Sequence, residues 1–160
     1  MSRGGAGFGS VSILSVHDNN KEDRVFDFTC IPLILLYFPE TFVELTCEWS
    51  NYVNDFDQLI EYQCPNDNVV AGISSYHDNH PEDRRFKFYC CRPNDLVTHG
   101  CEYTGYVNSY DQLLNYTVPD GWVLRGMTSV HDNSKNDRIF QFDVCRLDRL
   151  QLNPGASVVG

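Results

Sequence analysis

"HDNHPEDRRFKFYC" runs from His77 to Cys90. Two close copies flank it, "HDNNKEDRVFDFTC" at 17–30 and "HDNSKNDRIFQFDVC" at 131–145. After the Asp-Arg pair each copy alternates. Phe26 and Phe28 share a face with Cys30, Phe86 and Phe88 with Cys90, and Phe140 and Phe142 with Val144. Period two with aromatics predicts a half-buried strand. "NVVAGISSY" (68–76) and "GWVLRGMTSV" (121–130) predict the preceding strands. The Asp-, Asn-, Lys- and Pro-rich HDN segments between them carry turn chemistry. "FDQLIEYQC" and "YDQLLNYTV" predict one further strand each. "WSNYVND" and "TGYVNSY" predict a fourth strand or an ordered loop. No amphipathic helix of useful length is present.

The copies belong to longer repeats. A shift of 54 residues lays 47–92 on 101–146 without a gap, and a shift of 60 lays the start of the chain on the second unit. The chain therefore reads as a single domain over 1–160, with internal units 1–31 (incomplete), 47–92 and 101–146. The first unit and the second differ by six extra residues within "IPLILLYFPETFVELT" (31–46). This register sorts the seven cysteines. Cys64 and Cys90 both become valine in the third unit, as Val118 and Val144. Joint replacement predicts that Cys64 and Cys90 are bonded. By elimination Cys47 pairs with Cys91, and Cys101 with Cys145. Cys30 is left over, because its expected partner falls on Gly4. The "W…Y.N.YDQL" half of the first unit is also missing, so we expect a chain shortened at its N-terminus.

With 160 residues, 42% hydrophobic and 13% aromatic, the chain has enough material for a real core. A formal net charge of −10 makes nucleic acid and anionic membrane poor partners. No apolar run is long enough to span a membrane, "IPLILLYF" (31–38) included. "MSRGGAGFG" lacks the apolar core of a signal peptide. Paired cysteines nevertheless point to an oxidising compartment, so the expected location is secreted, with any signal peptide upstream. Zinc is disfavoured by the absence of CxxC spacing, and Cys90 and Cys91 point to opposite strand faces.

The predicted architecture is all-β, with three similar antiparallel units in a pseudo-threefold, β-prism-like arrangement; a β-trefoil is the alternative. The repeated motif supplies candidate ligand or scaffold residues: His17, Asp18, Asn19, Asp23 and Arg24; His77, Asp78, Asn79, Asp83 and Arg84; His131, Asp132, Asn133, Asp137 and Arg138. With Glu22 and Glu82, the acidic turns offer oxygens that could hold calcium. Their spacing is not that of an EF-hand, and the required glycine is absent, so no cofactor is expected. Asp and Asn closing the turn on the backbone is the structural alternative. Each arginine could lie over an aromatic ring or pair with a carboxylate of a neighbouring unit. The same Asp–Arg groups could also hold a sugar. Three near-copies argue against catalysis, which needs one asymmetric constellation. No nucleophile elbow or phosphate loop is present. Trp49, Tyr52, Tyr62, Tyr76, Tyr89, Tyr103, Tyr106, Tyr110 and Trp122 cannot all be placed in the core by alternation. Such side chains suit protein interfaces and stack on sugars.

The marks "CEW" (47–49), "EDR.F.FYCCR" (82–92) and "NDR.F.F..CR" (136–146), with the repeat order across 10–149, resemble the dermatopontin family. In that family the aromatic after "DR." is often Trp; here Phe26, Phe86 and Phe140 stand there, a swap that preserves a strand core. The resemblance implies a secreted, non-catalytic extracellular matrix and cell-adhesion protein. Its implied partners are matrix proteins, proteoglycans or glycans. Vertebrate members are linked to collagen fibrils, small proteoglycans and dermatan sulfate, and invertebrate relatives include agglutinins. A multivalent lectin using the repeated HDN and Asp-Arg loops is therefore the alternative function. The acidic balance weakens the case for a sulfated glycan. The dense basic group Arg84, Arg85, Lys87 and Arg92 is split by alternation across two faces.

Overall fold

The alternation around "RRFKFYC" sets the fold. Phe86, Phe88 and Cys90 turn inward and are essentially inaccessible, and Arg85, Lys87 and Tyr89 turn outward. The same holds for Phe140, Phe142 and Val144. In the computed structural model the described residues are 8–32, 45–94 and 96–149. They form ten strands and no helix. These are β1 (Phe8–Asp18), β2 (Asp23–Pro32), β3 (Leu45–Trp49), β4 (Ile60–Gln63), β5 (Val69–Asp78), β6 (Asp83–Pro93), β7 (Leu96–Tyr106), β8 (Leu114–Thr117), β9 (Trp122–Asp132) and β10 (Asp137–Arg149). They make three separate antiparallel sheets, ordered β2-β1-β8, β4-β9-β10-β7 and β3-β6-β5. None closes into a barrel.

Each HDN segment is the turn of a hairpin: β1/β2, β5/β6 and β9/β10. The turns close alike. Asp18 Oδ1 accepts from the Asn20 N–H (2.9 Å), Asp78 Oδ1 from His80 N–H (2.8 Å) and Asp132 Oδ1 from Ser134 N–H (2.7 Å). The last turn residue is left-handed each time: Glu22 (φ 48°), Glu82 (φ 52°) and Asn136 (φ 46°). Non-glycine residues seldom adopt that conformation, so its threefold recurrence marks one local design. Each hairpin also carries a bulge at the same place, with Val11, Ala71 and Arg125 out of register.

In the second and third units, the second strand does not pair within its own unit. Strand β4, from the second unit, pairs with β9 of the third, and β8, from the third, pairs with β1 of the first. "WSNYVND" is an ordered loop along β6. Ser50 and Val53 N–H donate to the Phe88 and Phe86 carbonyls (2.8 and 2.9 Å).

The core lies between the three hairpins. Phe26, Phe86 and Phe140 meet edge to face, with centroids 5.9, 5.7 and 6.3 Å apart. That geometry suits the ring quadrupoles, and each buried ring stabilises by about 1.5–3 kcal/mol. Tyr62 stacks on Phe88 and Tyr116 on Phe142 (5.0 and 5.3 Å). The bonds Cys47–Cys91, Cys64–Cys90 and Cys101–Cys145 are formed, as repeat symmetry predicts, and Cys30 is unpaired. Val118 and Val144 are buried in the same core cluster as Cys64 and Cys90. Gly4 and most of the 31–46 insertion lie outside the described residues.

Candidate functional site

The Asp-Arg pair opens the second strand of each hairpin, where its side chains reach a neighbouring unit. Arg24 Nε and NH2 donate to Asp137 Oδ1 and Oδ2 (2.5 and 2.8 Å). Arg84 donates likewise to Asp23 (2.6 and 2.8 Å), and Arg138 to Asp83 (2.7 and 2.6 Å). The three bidentate pairs form a closed ring in which every unit gives one arginine and one aspartate. Two-pronged pairing is the strongest form of such contacts. Of the two roles open to these arginines, the inter-unit carboxylate is the one observed.

Two corners of this ring are further sealed. The Asp57 N–H donates to Asp83 Oδ2 (2.8 Å), and Arg138 NH2 donates to the Gln58 carbonyl (2.9 Å). Correspondingly, Asp111 N–H donates to Asp137 Oδ2 (2.7 Å) and Arg24 NH2 to the Gln112 carbonyl (2.8 Å). Asp57 and Asp111 are both left-handed. At the third corner Arg84 and Asp23 side chains are 20% and 21% exposed, against 4% or less in the other pairs.

The histidines sit behind the ring. His17 Nδ1 lies 2.8 Å from Asn19 Oδ1, and His131 Nδ1 lies 2.9 Å from Asn133 Oδ1. His77 Nε2–H donates to the Glu22 carbonyl (3.2 Å). His17 with Asp111 and Asp137, and His131 with Asp57 and Asp83, each bring three ligand-type atoms within 4.8 Å. Both clusters fit a divalent cation poorly. Asp83 and Asp137 are each clamped by a guanidinium, whose charge would repel the ion. The turn carboxylates Asp18, Asp78 and Asp132 face backbone N–H groups instead.

The ring and the Phe26, Phe86 and Phe140 triad line a half-open pocket of about 20 Å³. That is room for roughly one water, too little for a sugar ring. The Asp–Arg pairs and His77 thus line this pocket, Asp18, Asp78 and Asp132 stay in the hairpin turns, and Asn19, Asn79 and Asn133 are exposed at the turn tips.

The open surface chemistry is elsewhere, on the outer face of the β3-β6-β5 sheet. Lys87 Nζ lies 5.2 Å from the Trp49 ring and 5.5 Å from Tyr52, and Arg85 lies 4.8 Å over Tyr52 and 6.0 Å from Phe56. Tyr76 meets Tyr52 and Phe56 edge-on, and Tyr89 lies against Trp49. Trp49, Tyr52 and Tyr76 are 45%, 39% and 39% exposed. The third unit does not repeat this ladder, since Ile139 and Gln141 stand where Arg85 and Lys87 do. Tyr103 and Tyr106 are exposed there, whereas Tyr62, Tyr110 and Trp122 are half-buried.

Sequence reasoning missed Asn54 and Asn108. Asn54 Oδ1 accepts from Phe86 N–H (2.9 Å) and its amide donates to the Arg84 carbonyl (2.9 Å). Asn108 does the same at Phe140 and Arg138 (2.9 and 3.0 Å). Each asparagine replaces a strand partner at the edge of β6 or β10. The signal was present: "YVN" recurs at the 54-residue shift.

Among the described residues no helix is long and apolar enough to cross a membrane. The family model for dermatopontin matches residues 3–149. The chain is 44% identical over 138 residues to the hemagglutinin/amebocyte aggregation factor of Limulus polyphemus, covering 85% of this chain and 76% of that protein. It is 37% identical over 134 residues to the dermatopontin of Biomphalaria glabrata, covering 84% and 85%. It is 38% identical over 134 residues to Millepora cytotoxin-1 of Millepora dichotoma, covering 84% and 57%. No solved structure matches the chain. No catalytic family is indicated by these matches. A family match over almost the whole length, on a repeat whose cysteines pair as its symmetry requires, places this chain in the dermatopontin family.

Proposed function

We propose that this is a secreted, non-catalytic matrix and adhesion protein that binds matrix protein or proteoglycan through the aromatic-basic ladder of the β3-β6-β5 sheet. The carrying observation is the exposed Trp49, Lys87, Tyr52, Arg85 sequence on an otherwise acidic chain. Stacked cations hold large rings in fixed positions, which lowers the ordering cost of an interface. Three disulfides support an extracellular setting. The His-Asp-Asn and Asp-Arg residues serve the scaffold in this reading. They hold the three units of one domain in a pseudo-threefold, β-prism-like arrangement, which the closed arginine ring supports. Immobilised protein should retain matrix proteins or proteoglycans at physiological salt. The Trp49→Ala/Tyr52→Ala double variant should lose at least about tenfold in retention, since such aromatic anchors often contribute 2 kcal/mol or more. Unchanged retention by a correctly folded variant would sink this reading.

A lectin is the second reading. It rests on the 44% identity to a protein named hemagglutinin/amebocyte aggregation factor. Red-cell agglutination by this chain that a simple sugar abolishes would favour it. A ligand site there would have to use the outer face or the turn tips, because the axial pocket is too small.

A further inference from the structure

Tyr116 decides which residues of β8 face outward. Its ring turns inward and stacks on Phe142 at 5.3 Å. Side chains alternate along a strand, so Asn115 and Thr117 turn the other way, and both are exposed. The three residues spell Asn-Tyr-Thr, the one Asn-x-Ser/Thr triplet in the 160 residues. With x other than proline, that is the acceptor sequence for N-linked sugar. Strand β4 holds the equivalent place in the second unit, where Glu61, Tyr62 and Gln63 align with it. The inward tyrosine is kept there, stacked on Phe88, but Gln63 donates to the Tyr103 hydroxyl (3.1 Å). The acceptor triplet belongs to β8 alone.

The ground around Asn115 is apolar. Asn115 lies directly across from Leu14 of β1. One rung further, Val16 pairs with Val25 of β2. Leu113 stands two residues before Asn115 in the chain. Leu14, Val16, Val25 and Leu113 are all exposed, Val25 by 70%. On the other side Thr117 lies across from Ser12, and Ser12 from Thr29. The 60-residue shift lays Val16, Val25 and Asp27 on Tyr76, Arg85 and Lys87 of the aromatic-basic ladder. The outer face of the first sheet therefore carries aliphatic side chains where the second carries cations and rings. A sugar chain rooted among them would lay its ring faces and N-acetyl groups on the leucines and turn its hydroxyls to water, which suits a bulky, solubilising group.

We propose that Asn115 carries an N-linked glycan whose core lies over Leu14 and Leu113 on the outer face of the β2-β1-β8 sheet. This rests on the secreted reading, because the donor, a polyprenyl diphosphate-linked oligosaccharide, and its transferase act in the secretory lumen. Transfer takes place as the chain enters that lumen, before β8 has paired, so a strand position does not hinder it. Folding has only to leave room for the sugar, and the outward Asn115 does so. The Asn115 amide nitrogen bonds the anomeric carbon of the first N-acetylglucosamine. The bond from that carbon to the diphosphate oxygen breaks, the polyprenyl diphosphate leaves with the electron pair, and one amide proton passes to base. The glycan shields the first sheet, and the ladder of the β3-β6-β5 sheet stays open to partners.

The test expresses the full chain in insect cells behind a cleavable leader, so that failure of the native chain to be exported bears on the secreted reading and not on this one. Peptide-N-glycosidase should lower the mass of the product by one glycan and leave aspartate at position 115 in the mapped peptide. Thr117→Ser should keep the glycan, whereas Thr117→Val and Asn115→Gln should each lose it. Carbene footprinting then compares the folded glycoprotein with the same protein after enzymatic removal of the sugar. Labelling of Leu14 and Leu113 should rise at least about twofold on removal, since a bulky glycan excludes the reagent, while that of Trp49 and Tyr52 stays fixed. A secreted chain with Asn115 unmodified overturns the proposal. So does equal labelling of Leu14 and Leu113 before and after removal, or association of glycosylated chains through this face.

Discussion

At the scale of single residues, the three arginine–aspartate pairs form a graded experiment. Arg138 and Asp83 are almost dry, so Arg138→Met strands a buried carboxylate and should cost about 3–5 kcal/mol in urea unfolding. The Asp23–Arg84 pair keeps water contact, so Arg84→Met should cost clearly less, roughly 1–2 kcal/mol. Equal losses would mean that solvent access does not govern the ring. The turn carboxylate of Asp132 tells a pH story. Bonds from the Ser134 hydroxyl and the Ser134 N–H hold it below the ordinary carboxylate range. A depressed folded pKa adds stability that is present above the unfolded value, about 3.9, and lost as pH falls through the folded one. Ser134→Ala should raise the Asp132 midpoint in an NMR titration. That these aspartates and arginines mattered was legible from their threefold recurrence. Which arginine met which aspartate was not, because the partners lie 55 to 113 residues apart and only closure of the sheets brings them together.

At the scale of elements, the hairpins could be read directly, since period-two aromatics and turn residues are local signals. The destination of "DQLIEYQ" could not. Its pattern says strand, but pairing with β9 rather than with its own hairpin is a matter of topology. Gly126 is the local sign of that crossing. Gly126→Ala should destabilise by about 1–3 kcal/mol through forced overlap with the Tyr62 carbonyl. The β4 amides should lose exchange protection first. Asn54 and Asn108 escaped notice for a related reason: a buried asparagine reads as a turn residue until a strand edge is placed beside it.

For the whole molecule, the third unit is a natural control on the second. Val118 and Val144 already occupy the places of Cys64 and Cys90 and are 4% and 3% exposed. A Cys64→Val/Cys90→Val chain should therefore fold with the same sheets. Closing a 26-residue span contributes about 3.5 kcal/mol on the chain-entropy model, the loss expected in thermal or urea melts. Failure to fold would show that the two units are not interchangeable. The edge disulfides Cys47–Cys91 and Cys101–Cys145, each spanning 44 residues, have another outcome. Under tension at its two ends, the oxidised chain cannot pay out those loops. At about 3.4 Å per residue they withhold roughly 300 Å of contour length. Unravelled to its limit, a tether made of this protein about doubles its reach once a reductant opens those two bonds.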